Sequence, residues 1–254
     1  MRSLARLCAY CVLFVAVVGC GKTEPRKNPF DTPEDAPKPA PKVSAPPKIE
    51  GPPPITIDEH GPKIGWDTVL IEKRDGRERL RKSIEEVKDK YENQPVELTA
   101  DRKARTEWVA IVVDELARIN AGTITIKTET TRPGFAQKLE FVPQARAGKV
   151  PPCTLVMMIR EDRSPAIWRR AGEARASGAG KGLAGPDLTR AADIIERRYK
   201  SCQDTSTYFV SAANGIEWGL TYDLAVNAQH VEKTKLTRAV LLSEAPVAGR
   251  ALSL

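Results

Sequence analysis

Apolar and polar residues alternate at Ile55-Thr56-Ile57-Asp58, the period of a strand with one wet face. Gly61-Pro62 marks a turn, and a second strand is predicted near Ile64 and Trp66, continuing through Thr68 to Ile71. Over residues 75–92 the period lengthens. Leu80, Ile84, Val87 and Tyr91 fall on one helical stripe, while Glu78–Lys82 and Glu86–Lys90 form i,i+4 pairs on the wet side. Asn93 and Pro95 stop this helix. Val96 to Ala100 reads as a strand. Thr106 is placed to cap a second helix with Val109, Val112, Val113, Leu116 and Ile119 inward. Gly122 ends that helix and Thr123 to Thr128 closes the sheet.

The same order returns further along the chain. Leu155 to Ile159 is a strand, Arg163-Ser164-Pro165 a turn and Ile167-Trp168 the next strand. A glycine-rich loop spans Ser177 to Gly185. Pro186 opens a helix with Leu188, Ala192, Ile195 and Tyr199 inward, and Tyr208 to Ala212 is a strand. Asn214 and Glu217 fit a capping box, with Trp218, Tyr222 and Ala225 on the inner face that follows. Arg238 to Ser243 closes the unit. The pattern predicts an α+β fold of two tandem β-β-α-β-α-β repeats, each a small mixed sheet with two helices. Copies this long suit packed domains rather than a solenoid. The expected domains are 55–130 and 153–254. A connector over 131–152 carries Pro133-Gly134 and Pro151-Pro152, with an added strand at Leu139 to Val142.

The N-terminus reads as an address. Arg2 and Arg6 precede an uncharged apolar run, Leu7 to Val18, too short to span a bilayer, which needs about 20 residues. The run ends in Val17-Val18-Gly19-Cys20, which resembles a bacterial lipobox: a small residue before the cut and a thiol after it. On this reading 1–19 is a lipoprotein signal peptide, and Cys20 carries a diacylglycerol and an acylated amine. Each buried CH₂ of such chains contributes about 0.8 kcal/mol. An ordinary cleaved signal or an uncleaved anchor is the rival. Gly21 in place of aspartate points, by resemblance to known lipoproteins, to the outer membrane facing the periplasm. Residues 20–54 form a linker, with eleven of the twenty prolines between Pro25 and Pro54. Such a segment buries too little apolar surface to fold, and polyproline II geometry at about 3.1 Å per residue gives it a reach of about 90 Å. A PxxP ligand for a partner domain is the alternative use.

Composition narrows the function classes. The net charge of +7 is modest, and basic and acidic residues mix along the helical runs, as on a solvated face. No basic stripe with stacking aromatics argues for nucleic acid. Of five cysteines, Cys8 and Cys11 leave with the signal and Cys20 is lipidated. Cys153 and Cys202 then form an even pair in an oxidising compartment. They sit at the same end of the sheet if their strands run parallel, which makes a disulfide geometrically reasonable; two buried thiols are the rival. His60 and His230 lack ligand spacing for zinc, and no serine elbow supports a triad. The run from Arg175 to Gly182 fails as a P-loop, lacking glycine and serine or threonine at its ends. Asp58, Glu59, Glu161 and Asp162 read as solvated charges beside turns. Trp66, Trp108, Trp168 and Trp218 sit at matched places, in core or interface rather than on a ligand-stacking platform. No catalytic residue, metal or cofactor is expected.

ITIDEHGPKI, the helix after it, PVELTADRKARTEW with Ala100-Asp101, and TITIKTE resemble the periplasmic domain of the ExbD/TolR family of biopolymer-transport proteins. Residues 153–254 match more weakly, with a shorter loop after TYFVSA and Ala213-Asn214 at the Ala-Asp step. The resemblance implies an envelope domain that pairs with its own kind and contacts partner proteins or peptidoglycan. Family members carry a membrane helix with a functional aspartate. Here Leu7 to Gly19 contains no acid, so proton transfer is not carried over. The expectation is a non-catalytic, lipid-anchored envelope protein, an adaptor or accessory component that binds a protein partner. The alternative is a peptidoglycan-binding lipoprotein linking membrane to wall.

Overall fold

The computed structural model describes residues 51–182 and 185–254, and Lys48–Leu254 is one compact unit. Residues 1–50, with the expected signal peptide, Cys20 and most of the expected linker, lie outside the described residues. The first half runs β1 (Ile55–Asp58), β2 (Gly61–Ile64), β3 (Asp67–Thr68), α1 (Gly76–Glu86), α2 (Lys88–Tyr91), β4 (Val96–Ala100), α3 (Thr106–Arg118) and β5 (Ile124–Lys127). A strand, β6 (Lys138–Pro143), and a 3₁₀ turn (Gln144–Arg146) follow. The second half runs β7 (Leu155–Ile159), β8 (Pro165–Arg169), β9 (Ser177–Gly178), β10 (Lys181–Gly182), β11 (Gly185–Pro186), α4 (Leu188–Tyr199), β12 (Thr207–Ala212), α5 (Trp218–Gln229) and β13 (Arg238–Leu241).

Two small sheets are not what these elements build. Eleven strands form one continuous mixed sheet in the order β3-β2-β1-β4-β5-β6-β13-β12-β7-β8-β9, and this overturns the expected pair of separate repeats. The physical reason is β6. It pairs antiparallel with β5 (Ile124↔Phe141) and parallel with β13 (Ala239↔Phe141), so it satisfies the open edges of both halves at once. Two small sheets would each have left a long inner edge unpaired. The residues expected to be a connector thus supply the central strand.

Local chemistry explains the details. Gly61 adopts φ +127, and a Cβ there would stand 2.8 Å from the Val69 carbonyl oxygen, so only glycine fits where the hairpin passes β3. The helix predicted over 75–92 breaks at Val87 into α1 and α2 and ends at Asn93, a left-handed residue (φ 58). The caps differ from expectation. Thr106 is inside α3, with Arg105 as N-cap, and Glu217 caps α5 with no side-chain bond. Asp187 caps α4 by accepting from Arg190 N at 2.9 Å. The glycine-rich loop is partly strand, forming β9 and a β10–β11 hairpin.

The larger core lies between one sheet face and α1, α3, α4 and α5. A second cluster covers the opposite face of the second half only: Val156, Met158, Trp168, Phe209, Val240 and Leu242, overlaid by Ala248 and Leu252 of the C-terminal segment. Trp168 Nε1 donates to Arg250 O at 2.8 Å and Leu252 N to Arg170 O at 2.8 Å, tying this segment down. In the first half the same face is open, and β4 accordingly alternates buried and exposed.

Candidate functional site

The two helices that follow β4 and β12 begin side by side, and their N-terminal loops pair. Thr106 N donates to Ile216 O (2.9 Å), Trp218 N to Ala104 O (2.6 Å) and Gly219 N to Arg102 O (2.9 Å). The buried hydroxyls of Thr106 and Thr221 meet at 2.8 Å, and Gly215 N donates to Glu107 Oε2 at 2.7 Å. These bonds form a seam between the halves. They replace the side-chain caps that the sequence pattern suggested with backbone partners from the opposite loop.

The seam has two unlike flanks. On one, Arg102 lies across α5 and binds Asp223 through both guanidinium nitrogens (3.0 and 2.7 Å), while also donating to Glu129 O at 2.9 Å. That carboxylate raises the Arg102 pKa further still, against a smaller opposing effect of burial. On the other flank the shorter Asn214 follows β12, and a cleft of about 550 Å³ stays open. Its walls are the start of α3 (Thr106 to Trp108, with Ala110 and Ile111), the end of β12 (Ser211, Ala212), the segment after β13 (Leu242 to Ala245), and Ile71, Glu72 and Arg77 ahead of and within α1.

Charges around this cleft are mostly paired. Arg105 bonds Glu72 at 2.6 Å and lies 4.8 Å over the Trp108 ring. Arg77 reaches Asp114 at 3.3 Å. Behind it Glu115, buried on α3, accepts from Arg81 (3.2 Å) and Arg118 (2.8 Å). Burial pushes the Glu115 carboxyl up, but the hydrogen bonds and charges of Arg81 and Arg118 outweigh it and hold the pKa below its ordinary value. Glu115 is thus a structural anion between α1 and α3.

The residues singled out in the sequence are scattered. Cys20 lies outside the described residues. Cys153 and Cys202 are joined by a disulfide with Cα atoms 5.6 Å apart, ahead of β7 and beyond α4, away from the cleft walls. Asp58 pairs with Lys63 at 2.5 Å, and Asp162 accepts from Ser164 N at 3.0 Å, so these acids organise hairpin turns at different places. His60 is exposed, whereas His230 stacks on Phe135 at the end of α5, so the histidines are not brought together. Among the described residues there is no cluster of three metal-ligating groups and no helix long and apolar enough to cross a membrane. The matched tryptophans diverge: Trp66 is 71% exposed, Trp168 and Trp218 are fully buried, and Trp108 alone lines the cleft. Glu107 and Glu217, each just ahead of one of these tryptophans, lie at the seam, which was not anticipated from the sequence. Glu72, Arg77 and Glu244 carried no signal, because they come together only through the single sheet.

Comparison of the chain with protein-family models, with curated proteins and with solved structures finds no match.

Proposed function

We propose that this protein is a non-catalytic, lipid-anchored envelope protein, an adaptor or accessory component of an ExbD/TolR-type biopolymer transport system that binds a protein partner. The observation that carries the reading is the tethered layout of the chain. A cysteine placed for lipidation at Cys20 is followed by a proline-rich spacer and then by one folded body. Support for binding comes from the open cleft at the seam. Strand addition is a poor route to a partner, because the sheet ends in β3 and β9, each two residues long.

The test has two arms. Labelled palmitate should enter the wild-type chain in cells and be absent from Cys20→Ala; an unlabelled wild type refutes the anchor. Capture of the full chain from gently cross-linked cells should enrich a proton-channel subunit or an energy-transducing protein. Recovery of muropeptides with no enriched protein would instead favour a wall-binding lipoprotein.

A further inference from the structure

Trp108 holds the observation that goes furthest. The residue is 4% exposed, and among the described residues no protein acceptor takes its indole N–H. Its counterpart Trp218 donates to Thr128 Oγ1 at 2.8 Å. By strand register, Ile124 and Ile126 of β5 correspond to Ala239 and Leu241 of β13, so Thr128 corresponds to Ser243. Ser243, however, gives its hydroxyl to Gln144 Oε1 at 3.2 Å, beyond the end of β6. The acceptor that Trp108 would have used is committed elsewhere. Among the described residues the fully enclosed polar side-chain atoms without a partner are Thr154 Oγ1 and Arg169 Nε, so the Trp108 nitrogen is within reach of solvent, on a residue that lines the cleft. A donor that solvent can reach and that no protein group takes, on a residue lining an open cleft, is free to bond a guest.

The rest of the lining defines that guest. Ile71, Ile111 and Leu242 offer apolar contact. Three glutamates, Glu72, Glu107 and Glu244, face one arginine, Arg77, on a protein whose net charge is +7. Glu72 and Glu107 neighbour Arg105, but Glu244 is exposed and has no ion-pair partner among the described residues. The guest must therefore bring a carbonyl acceptor, an apolar group and a cation. A sugar chain is disfavoured, because the ring is buried and Arg105 covers one of its faces, which leaves no stacking platform. We propose that the cleft binds an extended basic peptide segment. One backbone carbonyl of the segment accepts from Trp108 Nε1, an apolar side chain lies against Ile71 and Ile111, and a lysine or arginine meets Glu244. The proposal rests on the reading of this chain as a binding protein and names where and what it binds.

The test uses the full chain in detergent, labelled with ¹⁵N, whose four tryptophans give four indole N–H resonances. Trp108→Phe assigns the relevant signal. The probe is a hexapeptide of alternating lysine and valine, blocked at both ends; an otherwise identical glutamate–valine hexapeptide is the control. The basic probe should move the Trp108 indole resonance downfield and leave that of Trp218 in place. Trp108→Phe should weaken binding about five- to tenfold. Glu244→Gln, at an exposed position that does not endanger the fold, should weaken it about two- to fivefold and flatten its salt dependence. A Trp108 signal unmoved at millimolar probe overturns the proposal, as does an equal response to the acidic peptide or unchanged affinity in Glu244→Gln. A silent titration beside successful partner capture would remove this cleft as the site and leave the adaptor reading standing.

Discussion

Glu115 shows how a charge can be buried without becoming catalytic. It sits on α3 with its carboxylate accepting from Arg81 and Arg118 and 3.7 Å from Arg77. The arginines are about half exposed, so removing the acid leaves cations that water can still solvate. Glu115→Gln is expected to cost about 1–3 kcal/mol in urea unfolding at neutral pH. The sign with pH follows from the depressed folded pKa. The unfolded value is near 4.5, so the contribution is complete above it and fades as pH falls through the lower folded value. Wild type should therefore lose its advantage over Glu115→Gln on acidification below about 4.5. An advantage that persists at the lowest pH would refute the ionic account. The helical stripe placed Leu116 inward, but nothing in the sequence marked Glu115, which meets Arg77 and Arg81 only once α1 packs on α3 and shares its own helix with Arg118.

At the level of strands and helices, alternation was the readable signal and cover was not. β4 reads Val-Glu-Leu-Thr-Ala and has one wet face; β7 is an unbroken apolar run, β12 carries no charge and only Thr207 and Ser211 as small polar residues, and both are buried on both faces. That contrast was present in the sequence, but what covers the second face is an irregular C-terminal segment with no periodicity to detect. Trp168→Phe removes the indole donor to Arg250 O and is expected to cost about 1 kcal/mol. It should also speed proteolysis after residue 245, and unchanged cleavage would mean the segment is held by packing alone. The Arg102–Asp223 pair makes a matching case at the seam. Arg102→Ala leaves Asp223, whose side chain is 8% exposed, without its partner. An expected loss of about 2–4 kcal/mol is checked by urea unfolding. A loss of a few tenths would mean the pair is solvated like a surface bridge. Cys202→Ser opens a loop of separation 49 and should cost about 4 kcal/mol in the chain-entropy model, read from melts with and without reductant.

The whole molecule turns on β6, and here sequence reading went astray for a physical reason. Self-similarity between residues 55–130 and 153–254 pointed to two separate β-β-α-β-α-β units, whereas the chain adds β3 and α2 in one half and β9 to β11 in the other, and joins both halves in one sheet. Self-similarity cannot say whether two such units keep separate edges or share a strand. Lys138–Pro143 alternates like any strand, and its partners lie on both sides and far apart in sequence. Two connections then bind the halves: the sheet through β6, and the seam where α3 and α5 begin. The core reflects this, since residues from Ile55 to Leu241 belong to one cluster. A body built so should unfold in one cooperative step. Leu98 of β4 and Val210 of β12 lie in opposite halves and are both fully buried. Leu98→Ala should cost about 2–5 kcal/mol, and Val210→Ala somewhat less. Each should shift the same transition with tryptophan fluorescence, far-ultraviolet circular dichroism and proteolysis in register. Fluorescence is informative because Trp66 and Trp108 report on the first half and Trp168 and Trp218 on the second. If Leu98→Ala instead splits the melt, with Trp168 and Trp218 unaffected, the halves are stable alone and the shared strand is a contact rather than a keystone. The seam cleft would then open and close with their relative motion.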